Sequence, residues 1–236
     1  MIGPIRAQLG RLKRRLRRIA SPVDLGRLDR IEPISRAFGM DRGTAIDRRY
    51  IQRFLAEHAD RIRGRVLEVG DSTYTTRFGG SRVTERAVLH APPGAPGATI
   101  VADLANPDGL PEDAFDCFIC TQTLNFVYDA RRALEGARKL LRPGGSLLLT
   151  VGGISQVSRF ERERWGCYWS FTTESVERLL ADGFGGAPVV RSYGNVLGAT
   201  ALLHGVAVED LPEPSLLDAD DPEYPVVVAA VAEKPR

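Results

Sequence analysis

Short polar groups stand directly after apolar runs at four places in this 236-residue chain. Glu68 and Gly70-Asp71 close "RVLEVGD", His90 closes "AVLH", Asp103 closes "TIVAD", and Thr121-Gln122 closes "FDCFICTQ". A short apolar run bounded by turn formers reads as a buried parallel strand, and open α/β sheets bind ligands just beyond the carboxyl ends of such strands. A carboxylate at Glu68 suits a ligand that carries an ammonium group and is a poor neighbour for a pyrophosphate. The Gly-x-Gly-x-x-Gly turn that would let a pyrophosphate approach the backbone is missing, because Ser72 and Tyr74 occupy it. The acid that a nicotinamide site wants about 20 residues further on is missing too, and His90 stands near its place. A neutral imidazole there offers one hydrogen bond to a ribose hydroxyl; the alternative is a loop histidine with no ligand.

The elements that position these groups follow from periodicity. Residues 44–62 form a helix with Ile46, Tyr50, Phe54 and Ile62 along one side, Thr44 as its N-cap and Asp47 near the positive end of its dipole. Strands are expected at 66–69, 87–91, 99–104, 115–121, 146–152, 187–193 and 225–233. Helices are expected after Asp129, stopped by Pro143-Gly144-Gly145, then at 173–183 and from Asn195 to His204. Asp129 reads as a helix cap. Alternating strands and helices predict an α/β fold, a doubly wound and mostly parallel sheet with helices on both faces. The division is an extension over residues 1–43 and one domain over 44–236.

Composition narrows the function. Hydrophobic residues at 43%, charged residues at 26% and a net charge of +2 are ordinary for a globular protein and give no case for nucleic acid. Cys117 and Cys120 are three apart on a strand, so they point to opposite faces and form neither a metal site nor a redox pair. No cluster of His, Cys or Asp has metal-ligand spacing. In residues 1–20, Ile5, Leu9, Leu12, Leu16 and Ile19 make a helical stripe amid Arg11, Lys13, Arg14, Arg15, Arg17 and Arg18. That stripe suits an anionic membrane surface, or packing on its own domain or a second subunit. No secretory signal or membrane span is read, so a cytoplasmic protein is expected, peripheral to the inner membrane face if the helix binds lipid.

Taken in order, "VLEVGDSTYT", "VADL" and "FDCFICTQTLNFVYDARRALEGARKLLRPGGSLLLTV" resemble the class I S-adenosylmethionine (SAM)-dependent methyltransferases over residues 44–152. The resemblance implies a Rossmann-like sheet of seven strands with the last antiparallel, SAM as cofactor and S-adenosylhomocysteine as product. It implies that Glu68 holds the methionine end on the turn of Gly70 and Asp71, and that Asp103 receives the adenine amino group beside the Leu104 amide. It places Thr121 and Gln122 beside the sulfonium, and His90 where an acid often grips the ribose. Arg48 and Tyr50 are expected to reach the methionine carboxylate, since Arg suits carboxylate pairing. The altered first turn departs from the family's pattern, and so does Phe126, which stands where many relatives have a histidine.

"DRGTAIDRRYI", "ICTQTL", "RWGCYWSFT" and "YGNVL" are similar to a bacterial subgroup of methyltransferase-11-like proteins associated with polysaccharide biosynthesis. That implies a sugar or glycan hydroxyl as acceptor. Trp165, Tyr168 and Trp169 offer stacking faces for it, and Tyr193 and Asn195 offer hydrogen bonds. The alternative readings are a phenolic or natural-product acceptor and a binding module without turnover. No general base is named: His58 reads as structural, and His204 lies well along a helix.

Overall fold

The computed structural model describes residue 26 and residues 30–91, 93–185 and 187–236. The basic stripe of residues 1–20 lies outside the described residues. Residues Ile34–Arg236 form one compact unit. The domain therefore begins near residue 34 rather than 44. The correction has a physical cause, since the stretch expected to be an open loop is bonded into the domain. Ile34 N donates to the His204 carbonyl at 2.7 Å, and Arg42 grips both oxygens of Asp210 at 2.8 Å.

Seven strands make one sheet: β1 (Gly64–Val69), β2 (Val83–His90), β3 (Ile100–Val101), β4 (Phe115–Thr121), β5 (Leu141–Gly152), β6 (Val189–Tyr193) and β7 (Val227–Glu233). Their order is β3-β2-β1-β4-β5-β7-β6. β7 is antiparallel to both neighbours and every other pair is parallel. This is the expected α/β architecture with its antiparallel last strand. The order reverses between β1 and β4, so the crevice beyond their carboxyl ends is the place for a ligand.

Among the described residues five α-helices flank the sheet: α1 (Ile46–Glu57), α2 (Ala130–Leu140), α3 (Arg159–Trp165), α4 (Thr173–Gly183) and α5 (Val196–His204). On α1 the residues Ile46, Tyr50, Ile51, Phe54 and Leu55 are buried, and they meet one face of the sheet with Cys117 and Ile119. Ala133, Leu134, Ala137 and Leu140 of α2 meet the other face with Phe118 and Cys120. Cys117 and Cys120 thus sit in separate cores, as strand alternation requires. Burial in apolar surroundings pushes both thiols up to about 12. Asp129 caps α2 by accepting from Arg132 N at 3.0 Å. Thr44 does not cap α1. Ala45 holds that position without a side-chain bond, because the Thr44 amide and hydroxyl both donate to Glu209 at 2.7 Å. Among the described residues no helix is long and apolar enough to cross a membrane.

Candidate functional site

The first turn is organised from beneath by Glu68, which is 2% exposed. One carboxylate oxygen accepts from Tyr74 N at 3.1 Å, and the other accepts from Thr75 N and Thr75 Oγ1, both at 2.7 Å. Burial pushes this carboxyl up from its usual range, and the three donors partly offset that. Glu68 therefore serves the turn itself through these bonds. Asp71 also shapes the turn, accepting from Thr73 N at 2.7 Å. The chain then enters a π-helical turn, Thr75–Gly79. This turn replaces the missing glycines with a folded loop held on one acid.

His90, at the end of β2, donates from Nε2 to the Gly70 carbonyl at 2.5 Å. The imidazole that was expected to meet a ribose ties β2 to the first turn through this nitrogen. Gly70 has φ +90°, and a Cβ built there meets no heavy atom within 4 Å. The backbone faces open space at that point. Asp103 lies exposed just past β3 and accepts from Ala105 N at 2.9 Å, while Leu104 is buried in the core and fixes the backbone between them.

The opposite lip of the crevice is built by β4. Gln122 takes φ +48°, a region that non-glycine residues rarely occupy, and its amide donates to the Thr150 carbonyl at 2.7 Å. Its side-chain Nε2 is buried and has no hydrogen-bond partner. A strained backbone and an unpartnered buried donor thus coincide at the sheet's switch point. Thr121 is half-buried beside it, its carbonyl accepting from Thr123 Oγ1 at 3.0 Å.

Next to Gln122 opens a solvent-connected cleft. Asp47 and Arg48 enter it from the first turn of α1, Glu161 from α3, Phe38 and Met40 from the leading loop, and Trp169 from the segment after α3. Arg48 donates to Tyr74 Oη at 3.3 Å, so one guanidinium spans from the cleft to the first turn. Burial pushes the carboxyls of Asp47 and Glu161 up. Asn125 braces the floor: its side chain accepts from Gly152 N at 3.0 Å and donates to the Trp169 carbonyl at 2.7 Å.

The structure separates the expected acceptor residues. Trp169 lines the cleft, with its ring stacked on Tyr128 and its Nε1 donating to the Val127 and Tyr128 carbonyls at 3.1 Å. Trp165 packs against Phe126 and Phe160, and Tyr168 against Tyr128, outside the lining. Tyr193 is buried, and its hydroxyl donates to Glu57 at 2.7 Å. Asn195 caps α5, accepting from Gly198 N at 2.9 Å and donating to the Leu216 and Ala219 carbonyls. Neither belongs to the cleft, because β6 is the edge strand beyond β7. At about 4.8 Å per strand it stands roughly 14 Å from β4. Tyr50 is also removed from the site. It is fully buried in the α1 core against Gly198, whereas Arg48, two residues earlier and so on another side of the helix, does reach the cleft.

Asp47, Glu161, Phe38 and Asn125 are the contributors that sequence reasoning left out of the site. Asp47 reads there only as a dipole partner, and Glu161 is not singled out at all. The one available signal was the place of Asp47 next to Arg48. Among the described residues no group of three or more His, Cys, Asp or Glu is arranged to hold a metal ion.

A seven-stranded sheet of this order, with its crevice at the β1/β4 reversal, is the class I methyltransferase fold. Residues 54–149 match the family described as a methyltransferase domain. No curated protein matches the chain. Among solved structures, a SAM-dependent methyltransferase from Archaeoglobus fulgidus aligns with TM-score 0.52 at 11% identity, covering 79% of this chain and 94% of that one. An S-adenosylmethionine-dependent methyltransferase from Mesorhizobium loti gives TM-score 0.52 at 15% identity, covering 80% and 98%. The [4+2]-cyclase SpnF gives 0.51 at 18%, covering 82% and 83%. At such identities the likeness is one of fold, and the presence of a cyclase shows that the fold alone does not fix the reaction.

Proposed function

We propose that the protein is a SAM-dependent methyltransferase that methylates a hydroxyl of a saccharide acceptor. The observation that carries the reading is Gln122, with its orphaned buried Nε2 and positive φ at the switch point of a methyltransferase fold. The residues present fit the cofactor. Open space at Gly70 admits close approach to the backbone, the exposed Asp103 can receive an adenine amino group on the oxygen that Ala105 N does not use, beside the Leu104 amide, and Thr121 and Gln122 stand at the crevice between. Arg48 supplies the cation for a methionine carboxylate. The cofactor is S-adenosylmethionine, whose sulfonium supplies an electrophilic methyl group.

The chain's own task is then to bring an acceptor oxygen within attack distance and to keep water away. Positioning of this kind is worth about 7–11 kcal/mol of barrier in favourable cases. The cleft beside Gln122 combines the flat face of Trp169 with the polar side chains of Asn125, Ser155, Gln156 and Glu161. An aromatic face ringed by hydrogen-bonding groups suits a sugar, which has an apolar face and a polar rim. A phenolic acceptor is the second reading, favoured by Phe38 and Phe126 in the same lining.

Calorimetry with SAM and S-adenosylhomocysteine tests the cofactor, and methyl-transfer assays on a saccharide panel and a phenol panel test the acceptor. Asp103→Ala should weaken SAM binding by about 1–3 kcal/mol, the usual effect of unpairing a ligand donor. Absence of binding overturns the cofactor assignment. Binding without transfer to any acceptor leaves a non-catalytic module, and transfer to phenols alone promotes the second reading.

A further inference from the structure

We propose that Asp47 takes the proton of the acceptor hydroxyl, with Glu161 and Arg48 as the residues that set its charge; this rests on the methyl-transfer reading above. An alkyl hydroxyl is a weak nucleophile, and its methylation gains from a base within hydrogen-bond reach. The cleft offers few groups for that work. The histidines lie elsewhere: His90 is bonded to Gly70, and His58 and His204 do not line the cleft. Cys167 lines it, but burial pushes its thiol up, so it holds its proton at neutral pH. Glu161 is engaged by the Ser158 hydroxyl on the short helix α3.

Asp47 is placed differently. It projects from the first turn of a twelve-residue helix whose apolar face is buried in the core, so its position is rigid. Arg48 N donates to its Oδ1 at 2.8 Å, which fixes the carboxyl, and among the described residues no side-chain donor reaches its other oxygen. It lines the same cleft as Gln122, the orphaned donor of the switch point.

The charges that act on Asp47 are few. Arg48 favours its ionised form, and Arg48 in turn feels Tyr74 and Glu161. Glu161, which also feels Asp47, is the only other carboxylate of the cleft lining among the described residues. Burial outweighs Arg48 and leaves Asp47 more basic than an exposed aspartate. In the transfer, the acceptor oxygen's lone pair forms the bond to the methyl carbon and the carbon–sulfur pair remains on sulfur. The hydroxyl proton passes to the free oxygen of Asp47, which returns it to solvent before the next turnover.

The test is Asp47→Asn, which keeps an oxygen for Arg48 N and so preserves the start of α1. Methyl transfer should fall about 10²–10⁴-fold while SAM affinity, read by calorimetry, stays unchanged. The wild-type rate should rise with pH through one ionisation above the usual aspartate range, and that limb should vanish in the variant. Carbon-detected NMR of the free protein should show the Asp47 carboxyl titrating above 3.8, its ordinary value. In Glu161→Gln, loss of the neighbouring negative charge should move both the limb and the NMR titration to lower pH. An Asp47→Asn enzyme of wild-type rate, or a carboxyl titrating at or below its ordinary value, overturns the assignment of the base alone. Wild-type protein that binds SAM but methylates no acceptor overturns the methyl-transfer reading and this proposal with it.

Discussion

Glu68 and Thr75 are joined twice, the Thr75 amide and hydroxyl each standing 2.7 Å from one oxygen of a carboxylate that is almost wholly buried. The other oxygen serves Tyr74 N. Two backbone N–H groups thus address two different oxygens, an arrangement only a carboxylate accommodates. Glu68→Gln must turn an NH2 toward one of them. We expect a loss of about 1–3 kcal/mol in stability, the penalty of an unpaired buried donor. Denaturant unfolding measures it, and an unchanged midpoint would show that the turn holds without the acid.

Tyr193 should prove structural. Its hydroxyl donates to Glu57, and burial is the main reason its proton is held well above the usual phenol range. Tyr193→Phe is expected to lower stability by about 1–2 kcal/mol and leave methyl-transfer kinetics untouched. Parallel melting and rate measurements check both halves of that statement.

The leading loop is tied by charge, and the tie is sensitive to acid. Hydrogen bonding by Arg42 is the first cause that lowers Asp210 from 3.8 to about 2. Because the folded value is depressed, the contribution is fully present above pH 3.8 and is lost as pH falls toward 2. Wild-type protein should therefore melt higher than Asp210→Asn at pH 6, and the gap should close between about pH 4 and 2. Equal melting temperatures at pH 6 would mean that this exposed pair contributes nothing measurable.

Much of the frame was legible in the sequence, and the reasons are local. The strand at Phe115–Thr121 and the helix at Thr173–Gly183 fall where periodicity put them, because alternation and capping are properties of neighbouring residues. The opposite facing of Cys117 and Cys120 followed from pleat geometry alone. The misplacement of Tyr193 and Asn195 came from topology. They do follow a strand end, yet β6 is inserted at the far edge beyond β7, and no local pattern announces which edge a strand will join. Glu68 and His90 both sit at the expected strand ends, but the bonds they make to the first turn were not legible, because a sequence does not display competition for a polar atom.

Gly152 offers a test of the cleft floor. A Cβ built there lies 3.2 Å from Gln122 Oε1 and 3.3 Å from Asn125 Nδ2, closer than most real contacts. Gly152→Ala should push Gln122 away, reducing turnover and SAM affinity together, with an overpacking penalty of about 1–3 kcal/mol. Adding Gln122→Ser, which shortens the opposing side chain, should recover stability but not activity. Calorimetry and unfolding on the single and double variants separate the two effects; recovery of activity would remove Gln122 from the site.

The cleft walls come from the leading loop, the first turn of α1 and the α3 segment, whereas the crevice groups of Gly70, Asp103 and Gln122 come from strand ends. On the proposed reading, choice of acceptor and grip on the nucleoside are thus written on different stretches of chain, joined chiefly through Arg48 and Asn125. Such a separation lets partner preference drift by exchanging two surface segments while the thermodynamics of the donor site stay fixed. It makes the sheet a fixed chassis and the loops its interchangeable tooling.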